Sequence, residues 1–181
     1  MTETTPICAA VLTTRGSAVD VLLQDVCETL RRNGHHVSGV LQRQAEAVDT
    51  CCADMGLELL STGERIEISQ PLGKASRGCR LDPRGLAEIT ARLMRELDAF
   101  PDLLVLNRFG KGEQDGQGFR QLIAAAVERN IPVLTAVRPP YLEDWRSFTG
   151  TLSVELPENT AGILRWCAAV VEAPLARAAH G

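Results

Sequence analysis

The hydrophobic pattern of the chain consists of short apolar runs of strand length separated by longer stretches with helical spacing. Leu103, Leu104, Val105 and Leu106 are apolar in succession, and Pro132 to Val137 is nearly so. A strand without polar alternation is buried on both faces, the habit of central strands in a parallel sheet. Pro6 to Leu12 predicts the first strand, and His36 to Gln42, with Val37, Val40 and Leu41, predicts the second. Between them Val19, Leu22, Leu23, Val26 and Leu30 recur at helical spacing, and Asn33-Gly34 supplies a stop. A second helix is predicted from Pro83 to about Phe100, with Asp82 as N-cap and Leu86, Ile89, Leu93 and Leu97 on one face. Further helices are predicted over Gly118 to Asn130, Leu142 to Phe148 and Glu158 to Glu172, with a short strand at Thr151 to Leu156.

One stretch breaks this rhythm. Met55, Leu57 and Leu59 alternate with Gly56 and Glu58, and Ile66 and Ile68 alternate with Arg65 and Glu67. Ser61-Thr62-Gly63-Glu64 between them is turn chemistry, so a β-hairpin insertion is expected within about residues 51–70. Polar loops flank it at 44–54 and 69–80. The expected fold is a three-layer α/β domain, with a mainly parallel sheet and an inserted β-hairpin. No repeat or composition shift divides the chain, so residues 1–181 read as a single domain, with a flexible tail over about 174–181.

Composition narrows the function. The chain has 181 residues, 45% apolar and 23% charged, which is globular composition. A net charge of -4, with no basic run interleaved with aromatics, argues against a nucleic-acid partner. No apolar stretch is long enough for a membrane span, and the N-terminus lacks a signal-peptide profile, so a cytoplasmic protein is expected. Its cysteines, at 8, 27, 51, 52, 79 and 167, are then mostly reduced. Cys8, Cys27 and Cys167 fall in apolar segments and read as small core residues. His35, His36, Cys51, Cys52 and Cys79 lack ordinary zinc spacing, and no metal site is expected.

The chemistry-bearing stretch follows the central strand. Ligands of open α/β sheets sit beyond the carboxyl ends of the strands. There the chain reads Asn107-Arg108-Phe109-Gly110-Lys111-Gly112-Glu113-Gln114-Asp115-Gly116. The alternative is an ordinary strand-to-helix turn that needs glycine for its shape. The first strand ends in Thr13-Thr14-Arg15-Gly16-Ser17-Ala18-Val19-Asp20, the place of a phosphate-binding loop. A working loop there carries Gly-x-x-x-x-Gly-Lys-Ser/Thr, whose lysine reaches the phosphates and whose hydroxyl holds magnesium. Here Val19 replaces the lysine and Asp20 the hydroxyl. The helix N-terminus keeps amides able to bind an anion, against which Asp20 would compete. A third candidate is the 69–80 loop. Its Ser69, Gln70, Ser76, Arg77, Gly78 and Cys79 suit a tetrahedral oxyanion held by neutral donors and charge-assisted contacts, unless the segment is only a solvated loop.

Taken over Ile7 to Val137, the chain resembles the thermophile-type and cancer-related nucleoside triphosphatases, a compact branch of the P-loop NTPases. The resemblance rests on the order of elements, on Ser38-Gly39-Val40-Leu41-Gln42, on Asn107 to Glu113, on Phe119-Arg120, and on Pro132 to Val137. In that family the central strand ends in an acidic pair that organises magnesium and activates water, where this chain has Asn107 and Arg108. It more closely resembles a prokaryotic family of unknown function, often labelled as molybdate-transport ATP-binding proteins. That likeness is carried by Asn107-Arg108-Phe109-Gly110-Lys111-Gly112-Glu113 and by Ile68 to Asp82. Together the resemblances imply a catalytically degenerate P-loop-like protein, binding a phosphate-, molybdate- or tungstate-type oxyanion or a nucleotide as a sensor or accessory factor. Its ligand residues would come from Arg15, Gly16 and Ser17, from the 69–80 loop, and from Asn107, Arg108, Gly110 and Lys111. A first alternative is an active, magnesium-dependent nucleoside triphosphatase that uses Glu113, Lys111 and Asp115. A second is a module with a vestigial site that binds a protein partner or a second copy of itself.

Overall fold

A computed structural model describes residues 4–14, 16–43, 56–71 and 79–172. The expected 44–54 loop and the expected flexible tail from 174 lie outside the described residues. Seven strands form one sheet in the order β4-β3-β2-β7-β8-β1-β9. They are β1 (Cys8–Leu12), β2 (Val37–Arg43), β3 (Gly56–Leu59), β4 (Arg65–Glu67), β7 (Leu103–Phe109), β8 (Val133–Val137) and β9 (Ser153–Leu156). β2, β7, β8, β1 and β9 run parallel. The hairpin β3–β4 extends the sheet antiparallel from β2.

The continuous apolar runs are buried on both faces, as their sequence requires. Leu103 and Val105 of β7 enter one core, with α1 (Gly16–Arg32) and α6 (Thr160–Val171). Leu104 and Leu106 enter the other, with α2 (Pro83–Leu97), α4 (Arg120–Glu128) and Trp145 of α5 (Leu142–Thr149). Strand periodicity thus divides one run between two helical layers. The result is a three-layer α/β arrangement of the P-loop kind. Asp82 caps α2 as its sequence predicts, accepting from the Arg84 amide at 2.9 Å. Gly39 allows β2 to lie close against β7: its φ is +131°, and a Cβ there would sit 1.9 Å from the Val105 carbonyl oxygen.

Three expectations change. The 69–80 segment is not wholly loop, because its ends pair as an antiparallel ribbon, β5 (Ser69–Pro71) with β6 (Cys79–Leu81). The loop after β7 contains a short helix, α3 (Lys111–Gln114), and the helix expected from Gly118 begins at Arg120. Gly116 and Gly118, both at positive φ, make the turn between α3 and α4. Finally, the last strand starts at Ser153, because Gly150–Leu152 closes α5 as a 3-10 turn. Among the described residues, no helix is long and apolar enough to cross a membrane.

Candidate functional site

The parallel strands β1, β2, β7 and β8 end on one side of the sheet, and their ends build two neighbouring features. The first is the β1–α1 turn, and it is already filled. The Arg108 guanidinium donates from Nη2 to the Gly16 carbonyl oxygen at 3.2 Å and to both Asp20 carboxylate oxygens at 3.2 and 3.1 Å. Asn107 Nδ2 donates to Asp20 Oδ1 at 2.7 Å, and Arg108 Nε donates to Asn107 Oδ1 at 3.2 Å. Gly16 leaves room for this, since a Cβ there would lie 2.8 Å from the guanidinium nitrogens. Asp20 is 7% exposed, so its charge is paired inside the protein and not presented to a ligand at the helix N-terminus. Asn107 is 4% exposed and spends its amide on the same cluster.

The second feature is a pocket of about 310 Å³ over the 107–113 segment. Leu57, Ile68, Leu86, Phe109 and Phe119 give it an apolar wall, while Gln42, Lys111, Arg138 and Tyr141 bring polar groups. Phe109 is held edge-on against Trp145, with ring centroids 5.3 Å apart, and stacks on Phe148 at 6.0 Å. Glu113 fixes the shape of the loop. It is 6% exposed, and its two carboxylate oxygens accept from the Gly110 amide at 2.9 Å and the Phe119 amide at 3.0 Å. Gly118, at φ +64°, passes so close that a Cβ would lie 2.3 Å from Glu113 Oε1. Gln114 Nε2 donates to Asp144 at 2.8 Å and ties α3 to α5.

The sequence-predicted residues therefore separate by role. Gly16, Asn107 and Arg108 meet in the filled turn, and Asn107 and Arg108 also border the pocket. Gly110, Lys111 and Glu113 line the pocket, but the Gly110 amide and the Glu113 carboxylate are both committed to each other or to Phe119. Lys111 is 70% exposed, with Asp115 at 3.1 Å on the solvent side of α3. Arg15, Ser76, Arg77 and Gly78 lie outside the described residues, as do the side chains of Ser17, Ser69, Gln70 and Cys79. Among the described residues, no group of three or more His, Cys, Asp and Glu residues is placed to hold a metal ion.

Sequence reasoning missed Gln42, Arg138 and Tyr141. Gln42 lies near the end of β2, and Arg138 directly follows β8. The strand-end rule that singled out Asn107 applied equally to both. The Arg138 side chain is exposed and has no ion-pair or hydrogen-bond partner among the described residues.

The strand order and the helical layers define a P-loop-like three-layer α/β protein. The chain belongs to the family described as protein of unknown function (DUF2478), which matches residues 8–166. It is also 38% identical over 148 residues to the molybdenum import ATP-binding protein ModC 2 of Bradyrhizobium diazoefficiens. That match covers 82% of this chain but spans only 16% of the length of the relative.

Proposed function

We propose that the chain binds a small anion, of the phosphate, molybdate or tungstate type or a nucleotide, in the pocket above the 107–113 segment. It would act as a sensor or accessory factor and not through phosphoryl transfer at the β1–α1 turn. The observation that carries this reading is the Arg138 guanidinium. It is exposed and unpartnered among the described residues at a pocket whose acidic lining residue, Glu113, is consumed by backbone amides.

Loss of phosphoryl-transfer chemistry follows from the substitutions. Such transfer depends on positioning and on neutralising phosphate charge. Val19 brings no ammonium to the first turn, and the Arg108 guanidinium there is matched by the Asp20 carboxylate. The name of the relative supports a link to molybdenum uptake and to ATP. It belongs to a much longer protein, so the shared segment need not carry the ATP site.

A thermal-shift titration tests the reading, using molybdate, tungstate, phosphate, sulfate, ATP and GTP, the nucleotides with and without magnesium. A ligand at 100 times its Kd adds about 2.7 kcal/mol of stability. We expect a shift with at least one of these anions. Arg138→Gln should weaken binding about tenfold or more, since a charge-assisted hydrogen bond contributes roughly 1.5–3 kcal/mol. Magnesium-dependent phosphate release that disappears in Glu113→Gln would instead support an active triphosphatase. No shift with any anion would leave a partner-binding module.

A further inference from the structure

We infer that the pocket takes a heterocyclic phosphomonoester, of the size and chemistry of a nucleoside monophosphate, and not a bare oxyanion. This rests on the anion-binding reading of the same pocket and narrows its ligand class. Two observations point beyond charge.

The first is the apolar wall. Leu57, Ile68, Leu86, Phe109 and Phe119 come from the inserted hairpin, the segment after it, α2, β7 and the turn before α4, and converge on one cavity. A tetrahedral oxyanion is strongly hydrated and gains nothing from apolar surface, which costs it solvation. A flat ring gains by covering that wall and releasing its water. The volume of about 310 Å³ lies at the lower end of the range for organic-ligand cavities, roughly 300–1,000 Å³. A single tetrahedral anion fills a small part of it.

The second is Gln42. Gln42 lines the pocket, and its side-chain amide has no hydrogen-bond partner among the described residues. A carboxamide offers a donor and an acceptor side by side. An oxyanion uses only the donor, whereas the edge of a heterocyclic base presents a matching acceptor and donor, the complementarity by which Gln and Asn read adenine. The other carboxamide at this end of the sheet, that of Asn107, is occupied by Asp20 and Arg108. Gln42 is thus placed to read the ring, and the unpartnered Arg138 guanidinium supplies a cation for the phosphate of a phosphomonoester.

The test is isothermal titration calorimetry of the full chain in magnesium-free buffer. The titrants are AMP, GMP, CMP, UMP, adenosine, ribose 5-phosphate, inorganic phosphate and molybdate. We expect at least one nucleoside monophosphate to bind about tenfold or more tightly than ribose 5-phosphate, inorganic phosphate and molybdate. Gln42→Leu, with its unliganded melting temperature measured to establish that it folds, should lose about tenfold or more in affinity for that nucleotide. Phosphate or molybdate binding as tightly as every nucleotide would overturn this inference and leave the anion-binding reading standing. Failure of all eight compounds to bind would overturn both. An unchanged nucleotide affinity in folded Gln42→Leu would remove the ring-edge contact and overturn the inference, and the comparison of ligands on the unmodified chain decides it if that variant does not fold.

Discussion

At the scale of single residues, the arrangement that distinguishes this chain is Asp20 with Arg108 and Asn107. Asp20 is 7% exposed, and a lone carboxylate buried in the second turn of α1 would be costly. The structure supplies its partners from β7, with contacts of 2.7 to 3.2 Å. Arg108→Ala should destabilise the protein by about 1–3 kcal/mol, because it leaves a carboxylate that is 7% exposed with only the Asn107 amide. Arg108 is itself 24% exposed, which places the expectation below the cost of breaking a fully buried pair. Urea denaturation measures it, and adding Asp20→Asn to Arg108→Ala should recover part of the loss. A midpoint unmoved by Arg108→Ala would show that water replaces the guanidinium without cost.

At the scale of elements, β2 and the β7–α4 connection set the geometry of the pocket. Gly39→Ala places a methyl group against the Val105 carbonyl, at a positive φ that L-residues avoid. We expect a loss on the order of 3 kcal/mol or more from the clash and the strained backbone together, read as a lower melting temperature or as insoluble protein. Glu113 acts on the connection as an internal staple. Glu113→Gln keeps one carbonyl oxygen but turns an NH2 group toward the other backbone amide, at an expected cost of about 1–3 kcal/mol. Hydrogen exchange should then accelerate at Gly110 or Phe119, whichever amide faces the NH2 group and loses its acceptor. Unchanged protection at both would mean that the staple does not hold the loop.

At the scale of the whole molecule, the sheet separates two cores, and the buried cysteines belong to them. Burial pushes the thiols of Cys8, Cys27 and Cys167 up from 9.0 to about 12. At neutral pH they are protonated in both folded and unfolded chains and contribute no pH dependence. Above about pH 9 the unfolded thiols ionise first, so the unfolded state binds fewer protons and stability falls as the pH rises toward 12. Thermal melts between pH 8 and pH 10.5 should show this decline, with Cys8→Ala, Cys27→Ala and Cys167→Ala each flattening it. Native protein at pH 8 should leave these three thiols unmodified by iodoacetamide until it is unfolded, as mass spectrometry of the alkylated peptides would report.

Much of the architecture was legible in the chain itself. The apolar runs at 103–106 and 132–137, the second interrupted by Thr135, are satisfied by helices on both faces, and local periodicity marked those helices. The Asp82-Pro83 start of α2 was equally local, since a cap is made by neighbours in sequence. Interactions between distant segments were not legible. No spacing rule pairs Asp20 with Arg108, 88 positions apart, and the same long-range contact turned a candidate ligand cation into an internal counter-charge. The pocket gathers Gln42, Leu86, Lys111 and Arg138 from four segments whose only common property is their place at the end of the sheet. Their convergence is a consequence of strand order, β2-β7-β8-β1, and strand order is decided by how the layers pack. The amino-acid sequence by itself determined the strands and helices of the main sheet and its layers, though not the β5–β6 ribbon or α3, because periodicity and capping act over a few residues. Only the tertiary structure decided which charges are spent on one another and which remain for a ligand, because Coulombic pairing and desolvation depend on distances that the chain acquires on folding.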